Sequence, residues 1–281
     1  MNRIRRATHY LSSMLAMPAL VCLSLVLFTA CNDNDSPMPE PEVQPLLTKM
    51  ELKASYIAPE YEFKLEHDIT EMKYDEQGRL MEWWDNGTLY SSFTYGEGKI
   101  FVKCDGDEPY EFKLDDQGLI TEALYKDGNK ALFSYNDKGE CIELVWPGDR
   151  HLLMEWTDGQ MIRETNLNED GEPIYVVTNT YSDIPVKGNA PFMRCLSGYD
   201  GGYRLDLEVS GDLNCSSTKF LPTKSVVEWY DGLITTYNAE YTLDNDGLVT
   251  KMHVEWDYFF EGEEEHHSGY IFDVYFTYQK Q

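Results

Sequence analysis

Tyr74-Asp75-Glu76-Gln77-Gly78-Arg79-Leu80 is the stretch of sequence that decides the fold. An aromatic residue precedes an Asp, a Gly follows the Asp by three positions, and an apolar residue comes two positions later. An Asp that opens a turn can accept hydrogen bonds from the backbone two residues on. A Gly at the fourth position can adopt the left-handed conformation that closes a type I turn with a bulge. The stretch therefore predicts a tight turn between two antiparallel strands.

This pattern recurs along the chain at a nearly constant interval. The glycines of the first series are Gly78, Gly98, Gly118, Gly139 and Gly159, and by subtraction they stand 20, 20, 21 and 20 residues apart. A second series of turn sequences, including Asp85-Asn86-Gly87 and Asp127-Gly128-Asn129, falls between them, and Gly232 and Gly247 mark two later turns. Each unit is therefore predicted to be a hairpin of two strands. We expect positive φ at the first-series glycines and at Gly232 and Gly247.

Alternation of apolar and polar side chains supports the strand interpretation. Tyr110, Phe112 and Leu114 share one face of a strand, whereas Glu111 and Lys113 share the other. Such segments together predict an all-β fold, a large antiparallel hairpin meander of about 15–18 strands. An open sheet of that size leaves long unpaired edges, so we expect it to curl or to close into a flattened barrel.

One irregular insertion, from about Ile184 to Lys224, breaks the repeat. The interior of a closed barrel with so many strands is too wide for side chains alone to fill. The insertion is therefore a candidate to occupy that interior, and an ordinary excursion over the surface is the alternative. With apolar faces turned inward against the insertion or the opposite wall, we expect a water-soluble domain and not a barrel that crosses the membrane, because charges such as Glu82 interrupt any apolar band.

The start of the chain predicts a targeting segment. Residues 1–30 combine three early arginines with an uncharged apolar run, which is typical of a signal peptide. Phe28-Thr29-Ala30-Cys31 resembles a bacterial lipobox, so Cys31 is the predicted lipid attachment site; ordinary cleavage nearby with an unmodified Cys is the alternative. Residues 31–46 are acidic and rich in Pro, and predict an extended tether that is either a surface-export signal or a solvated linker. A single β domain then spans 47–281.

Four cysteines remain in the domain. Cys195 and Cys215 lie within the irregular insertion, where a disulfide in an oxidising envelope would close the loop. Cys104 and Cys141 are two hairpins apart and are expected to pack as small apolar side chains. The sequence contains no Cys-x-x-Cys motif and no zinc-type spacing of Cys and His.

Two resemblances follow from these residues. Tyr74 to Leu80 is similar to the core of the YD (Rhs-type) repeat. The lipobox at 28–31, the 20-residue hairpins and Ser217-Thr218-Lys219-Phe220-Leu221-Pro222-Thr223-Lys224 together look like a Bacteroidetes lipoprotein family, a domain of unknown function with a porin-like fold. This second resemblance covers most of 47–281. It implies a large curled antiparallel sheet resembling a barrel, and it implies no activity.

Charge and motifs limit the chemistry that we expect. The 50 acidic and 23 basic residues give a net charge of −27, which disfavours nucleic acid and anionic lipid headgroups as partners. The run from Glu261 to His267 could hold a transition metal, but neighbouring residues of a strand point to opposite faces, so a solvated acidic loop is the favoured interpretation. The sequence predicts no cofactor, no metal site and no catalytic residue.

These features favour a non-catalytic structural or interaction protein of the cell envelope, an outer-membrane lipoprotein on the periplasmic or cell-surface side. Contact with the membrane would be through the lipid anchor only. The 20 Tyr and 6 Trp suggest an alternative, a module that binds glycans or peptides through exposed aromatic rings. A hydrolase with carboxylates assembled from separate strands is a further, less favoured alternative.

Replacing Cys31 by Ala tests the lipid anchor. In a bacterium that lipidates proteins, the natural chain should fractionate with membranes and incorporate radiolabelled palmitate, because several acyl chains anchor a protein stably. The Cys31→Ala variant should lose the label and the cleavage step. Cys22→Ala, inside the signal peptide, is the matched control and should remain labelled. A Cys31→Ala protein with unchanged label and mobility would contradict the assignment.

Overall fold

The computed structural model describes residues 44–56, 65–104, 110–125, 127–148, 150–192, 218–262 and 267–279. These ranges contain sixteen strands. They are β1 (Leu46–Tyr56), β2 (Leu65–Tyr74), β3 (Leu80–Asp85), β4 (Thr88–Gly96), β5 (Lys99–Cys104), β6 (Tyr110–Leu114), β7 (Ile120–Leu124), β8 (Lys130–Tyr135), β9 (Cys141–Trp146), β10 (Arg150–Thr157), β11 (Gln160–Leu167), β12 (Pro173–Pro185), β13 (Phe220–Trp229), β14 (Leu233–Leu243), β15 (Val249–Phe260) and β16 (His267–Gln279). Among the described residues there is no helix of sufficient length and hydrophobicity to cross a lipid bilayer.

The strands form one closed antiparallel barrel. Each strand pairs with the strand before it and the strand after it in sequence, and β1 completes the ring by pairing with β16. The closing seam is long, running from the pair Leu46 and Gln279 to the pair Tyr56 and Tyr270. The prediction of an all-β hairpin meander that closes on itself is therefore confirmed. Closure leaves no unpaired strand edge.

The alternating hairpins give the barrel two ends. The repeat end holds the turns of the first glycine series, between β2 and β3, β4 and β5, and so on to β14 and β15, together with the start of β1 and the end of β16. The distal end holds the connections between β1 and β2, β3 and β4, and the remaining alternate pairs. Strand β12 ends at Pro185 and β13 begins at Phe220, so the strands extend into both edges of the predicted insertion, where Tyr181 pairs with Pro222 across a bulge.

Turns of the Asp-x-x-Gly type share one hydrogen-bond pattern. In the first, Asp75 Oδ1 accepts from the backbone N–H groups of Gln77 and Arg79, both at 2.9 Å, and the Gly78 N–H donates to the Asp75 carbonyl at 3.0 Å. The Arg79 guanidinium lies 2.7 Å from Asp75 Oδ2. Burial opposes ionisation of Asp75, but these hydrogen bonds and the guanidinium charge hold its pKa below the usual range. The side chains of Asp115, Asn136 and Asp244 accept equivalent pairs of backbone bonds.

The turn glycines occupy the left-handed region. Positive φ values, between 65° and 86°, are found at Gly78, Gly98, Gly118, Gly139, Gly159, Gly232 and Gly247. At Gly118, where φ is 83°, a Cβ atom would have no atom within 4 Å, so only the backbone conformation opposes a side chain there.

Gly118→Ala isolates that conformational cost. We expect a loss of about 1–2 kcal/mol in the free energy of unfolding, measured by urea denaturation, because an L-residue resists positive φ. Gly118→Asn should lose less, since Asn tolerates this region. The control is Gly96→Ala in β4, where a Cβ would make only an ordinary 3.7 Å contact with the Phe101 ring. Equal effects of Gly118→Ala and Gly96→Ala would show that the turn conformation is not the cause.

The barrel interior is an apolar core. One buried cluster runs around the ring, from Leu47 on β1 to Phe276 on β16, and includes the fully buried Phe93, Phe112 and Leu152. These side chains come from the inward face of each strand, since buried and accessible residues alternate along it. The barrel is filled by its own side chains over much of the circumference.

The first described residues of the insertion close the repeat end. Asn189 Oδ1 accepts from the Leu47 N–H at 2.6 Å, and the Lys187 ammonium donates to the Asp246 carbonyl at 2.7 Å. Ala190 and Phe192 belong to the core cluster, where the Phe192 ring packs edge-on against Phe276 at 5.3 Å. This part of the insertion therefore packs against the core at the barrel end, and residues 193–217 lie outside the described ranges.

A belt of aromatic donors ties neighbouring hairpins together at the repeat end. Each belt residue donates from its hydroxyl, or from the indole N–H, to a backbone carbonyl that lies 15 to 27 residues earlier, at 2.5–3.0 Å. The pairs are Tyr74 to Leu47, Tyr95 to Leu80, Tyr135 to Ile120, Trp156 to Cys141, Tyr181 to Met161 and Tyr241 to Pro222. Burial raises the pKa of the Tyr74 and Tyr181 hydroxyls, which keeps them protonated as donors. The aromatic residue that opens the repeat motif is thus a donor to the adjacent hairpin.

Removing one belt hydroxyl should cost measurable stability. Tyr135→Phe leaves the Ile120 carbonyl without its 2.7 Å donor, and we expect a loss of about 1 kcal/mol in the free energy of unfolding. Tyr230→Phe is the control, because Tyr230 is 80% exposed and its substitution should change stability by less than about 0.5 kcal/mol. Equal unfolding midpoints for Tyr135→Phe and the natural protein would show that the belt is energetically neutral.

Candidate functional site

Polar side chains interrupt the apolar core in one sector of the barrel. Among the described residues, the buried polar side chains other than Ser91 lie on the four consecutive strands β11 to β14. We call this set the polar patch. It consists of Glu164, Asn166, Asn179, Ser225 and Thr235. Burying a polar group is unfavourable unless it is hydrogen-bonded, so the partners of these atoms decide what the patch can do.

A short hydrogen-bond chain connects the carboxylate of the patch to an amide. Glu164 is 6% exposed, and its Oε1 accepts from the Tyr175 hydroxyl at 3.2 Å. The same hydroxyl accepts from Asn166 Nδ2 at 3.1 Å. On the neighbouring strand, Asn179 Nδ2 donates to the Met161 carbonyl at 3.0 Å. Each of the two amides therefore uses one side-chain N–H donor within the protein.

Three side-chain oxygens of the patch are left without a hydrogen-bond partner in the described part of the chain. Asn166 Oδ1, Asn179 Oδ1 and Ser225 Oγ are buried and have no hydrogen-bond partner among the residues that the structure describes. Leaving such an atom unpaired typically costs about 1–3 kcal/mol. Three of them on adjacent strands mark a place where the barrel offers hydrogen bonds to something other than itself.

Aromatic rings continue the same sector on β13 to β15. Strand register pairs Ser225 with Tyr237 and Tyr237 with Trp256, and the Tyr237 and Trp256 rings are stacked at 6.1 Å with an interplanar angle of 10°. Tyr258 lies beside Trp256 at 5.9 Å. These three rings, which we call the aromatic wall, are only partly buried.

Strand direction places this site in the distal half of the barrel. Residues 164 to 166 lie near the end of β11, residues 175 to 179 near the start of β12, and residues 256 and 258 near the end of β15, all toward the distal end. Tyr175 and Trp229 form a ring pair at 5.2 Å on the distal side of the patch. The insertion residues 186–192, by contrast, contact the repeat end.

The residues singled out from sequence lie mostly elsewhere. Cys31, Cys195 and Cys215 fall outside the described residues, as do residues 263–266 of the acidic run. Cys141 is buried in the core, and Cys104 packs against the core; neither forms a disulfide among the described residues. Within the described ranges, no group of three or more His, Cys, Asp or Glu side chains is arranged to hold a metal. Glu164 is the one carboxylate among these residues whose side chain is buried.

The polar patch itself was missed by sequence reasoning, although a signal for part of it exists. Tyr175, Val177 and Asn179 alternate on one strand, which places Asn179 on the face that carries apolar residues. A polar residue at an inward position is the informative exception in such a strand. Strand register, which the sequence does not give, is what brings Ser225 and the aromatic wall next to it.

The fold is similar to two crystal structures. One is of a porin-like protein from Bacteroides uniformis ATCC 8492, at 16% identity and a TM-score of 0.50, and the alignment covers 85% of this chain and 100% of that chain. The other is of a porin-like protein from Bacteroides vulgatus ATCC 8482, at 13% identity and a TM-score of 0.53, covering 84% of this chain and 100% of that chain. Identities this low show a shared fold alone. No family model and no curated protein matches the sequence.

Proposed function

We propose that this chain is a non-catalytic interaction protein of the bacterial cell envelope, an outer-membrane lipoprotein that carries its barrel on a tether from Cys31. The barrel would stand in water on the periplasmic or cell-surface side. The porin-like structures from two Bacteroides species and the lipobox-like residues 28–31 support an envelope location.

The observation that carries the proposal is that charged side chains cover the outer face of the barrel, whereas apolar side chains face its interior. Its outer surface bears pairs of opposite charges on adjacent strands, including Lys73 with Glu82 at 2.8 Å, Lys99 with Glu111 at 2.8 Å, and Glu122 with both Lys113 and Lys130. Hydrogen bonds from Lys113 and Lys130 lower the pKa of Glu122.

A second group of charges lies over the closing seam. Hydrogen bonds from Lys53 and His67 lower the pKa of Glu51 to about 2, and Asp273 lies 2.8 Å from Lys251 and 2.7 Å from His253. A membrane-spanning barrel has the reverse arrangement, an apolar outer band about 25 Å tall around a polar interior. Charged pairs on the outer face and an apolar core inside favour a barrel surrounded by water.

The interaction role rests on the interior site. A barrel needed only as a spacer is best filled with apolar side chains, whereas this one keeps unpaired acceptors beside aromatic rings. Buried polar groups without partners are destabilising, so a binding role explains why they are retained.

Behaviour without detergent tests the water-facing barrel. The chain from Asn32 onward, which lacks the signal peptide and the lipid, should elute as one species of monomer mass, or of a small defined oligomer, in size-exclusion chromatography with light scattering. Its unfolding in urea should be cooperative and unchanged by added polyoxyethylene detergent. Aggregation that only detergent relieves would contradict the proposal and favour a membrane barrel.

A further inference from the structure

We propose that the polar patch and the aromatic wall form a carbohydrate-binding site inside the distal half of the barrel. This inference rests on the proposed function, because it names the ligand class for the interaction role.

Strand register arranges the site as two parallel rows across the sheet. The row farther from the distal end consists of Asn179, Ser225, Tyr237 and Trp256, which are direct cross-strand partners on β12 to β15. The row next to it begins at Glu164 and ends at Thr235 and Tyr258, with two valines between. Strands lie about 4.8 Å apart and alternate residues of a strand about 6.8 Å apart, so the rows cover a surface roughly 14–19 Å long. Each row begins with a polar residue on β11 or β12 and ends with an aromatic residue on β15.

The unpaired atoms of the patch require a ligand that donates hydrogen bonds. The amide oxygens of Asn166 and Asn179 can only accept, and Ser225 Oγ can accept or donate. One N–H donor of each amide is already used within the protein. A ligand that presents several O–H groups at different angles satisfies these acceptors, and a saturated hydrocarbon or an anion does not.

The aromatic wall matches a second property of a sugar, the apolar face of its ring. Stacked and partly accessible rings, such as Tyr237 and Trp256, offer flat apolar faces, and one face of a sugar ring is a patch of C–H groups. Rings beside a carboxylate also suit alkylammonium groups. A quaternary ammonium has no N–H donor, however, and would leave the amide oxygens of the patch unpaired. The site requires a ligand with hydrogen-bond donors on one side and an apolar face on the other, and a carbohydrate has both.

Exposed aromatic residues at the distal end lie on the strands that lead to the site. Tyr230, in the turn between β13 and β14, is 80% exposed, and Phe260 at the end of β15 is 43% exposed. Register pairs Phe260 with Leu233, the first residue of β14. A sugar chain entering from this end meets these residues first and then the aromatic wall.

Binding is tested on the full chain, purified from membranes in a polyoxyethylene detergent that carries no sugar. The probes are neutral oligosaccharides of four to seven units from starch, cellulose, mannan, galactan and chitin, titrated by isothermal calorimetry. At least one class should bind saturably below 1 mM. Trp256→Phe, and the more disruptive Trp256→Ala, should weaken that binding by about tenfold or more. Trp84→Ala is the matched control, because Trp84 lies on the outer surface beneath the Lys73 ammonium, and its binding should be unchanged.

Ser225→Ala gives a test in which stability and affinity move in opposite directions. Removing a buried hydroxyl that has no partner should leave the melting temperature of the unliganded protein unchanged or higher. The same change should weaken oligosaccharide binding roughly fivefold, because a hydrogen bond to the sugar is lost. A variant that lost stability and affinity together would point to a purely structural role for Ser225 and overturn its place in the site.

Other outcomes separate failure of the site from failure of the proposed function. No saturable binding of any probe by a protein that is monodisperse without detergent overturns the carbohydrate site and leaves the water-facing barrel standing. Saturable binding of choline or butylamine, with no response to any sugar, overturns the ligand class. Conversion of a bound oligosaccharide to shorter products, lost in Glu164→Gln, supports the site and overturns the non-catalytic role.

Discussion

Closure of the sheet is the constraint on which the rest of this structure depends. Sixteen strands that pair in a ring enclose an interior that side chains, other chain segments or a ligand must fill if water is to be excluded. Large side chains such as Phe93 and Phe112 fill much of it, and the start of the insertion, through Phe192, fills the repeat end. The aromatic belt joins each hairpin to the next at that same end, so the residues that fill the barrel also fix the positions of its hairpins.

Filling the interior with apolar side chains has a consequence for the outer surface. Because side chains of a strand alternate, residues that flank the buried positions must point outward. Here many of them are charged and paired with a neighbour on the adjacent strand, as Lys113 is with Glu122. Exposed ion pairs contribute little stability individually, but they make the outer face compatible with water.

The sequence predicted the architecture well because short local segments specify it. Asp75 and Gly78 specify a turn within a few residues, and the recurrence of that turn implies hairpins, whose number implies closure. The candidate site could not be predicted in this way. Asn179, Ser225 and Trp256 are far apart in the chain, and only the register of β12 to β15 places them in one row. The role of the belt aromatics was missed for the same reason, since Tyr135 and Ile120 belong to different hairpins.

The seam between β1 and β16 makes this repeat-built protein fold as one unit. In an open array of repeats, each unit contacts only its neighbours, so stability is close to a sum of local terms and either end can fray. In this barrel the first strand gains its second partner only when the last strand has formed. All sixteen strands must therefore be available before the ring can close, and until then β1 and the last strand to pair both present unpaired edges. Local contacts favour rapid formation of hairpins, but the slowest and most aggregation-prone step is the one that joins the two ends of the chain.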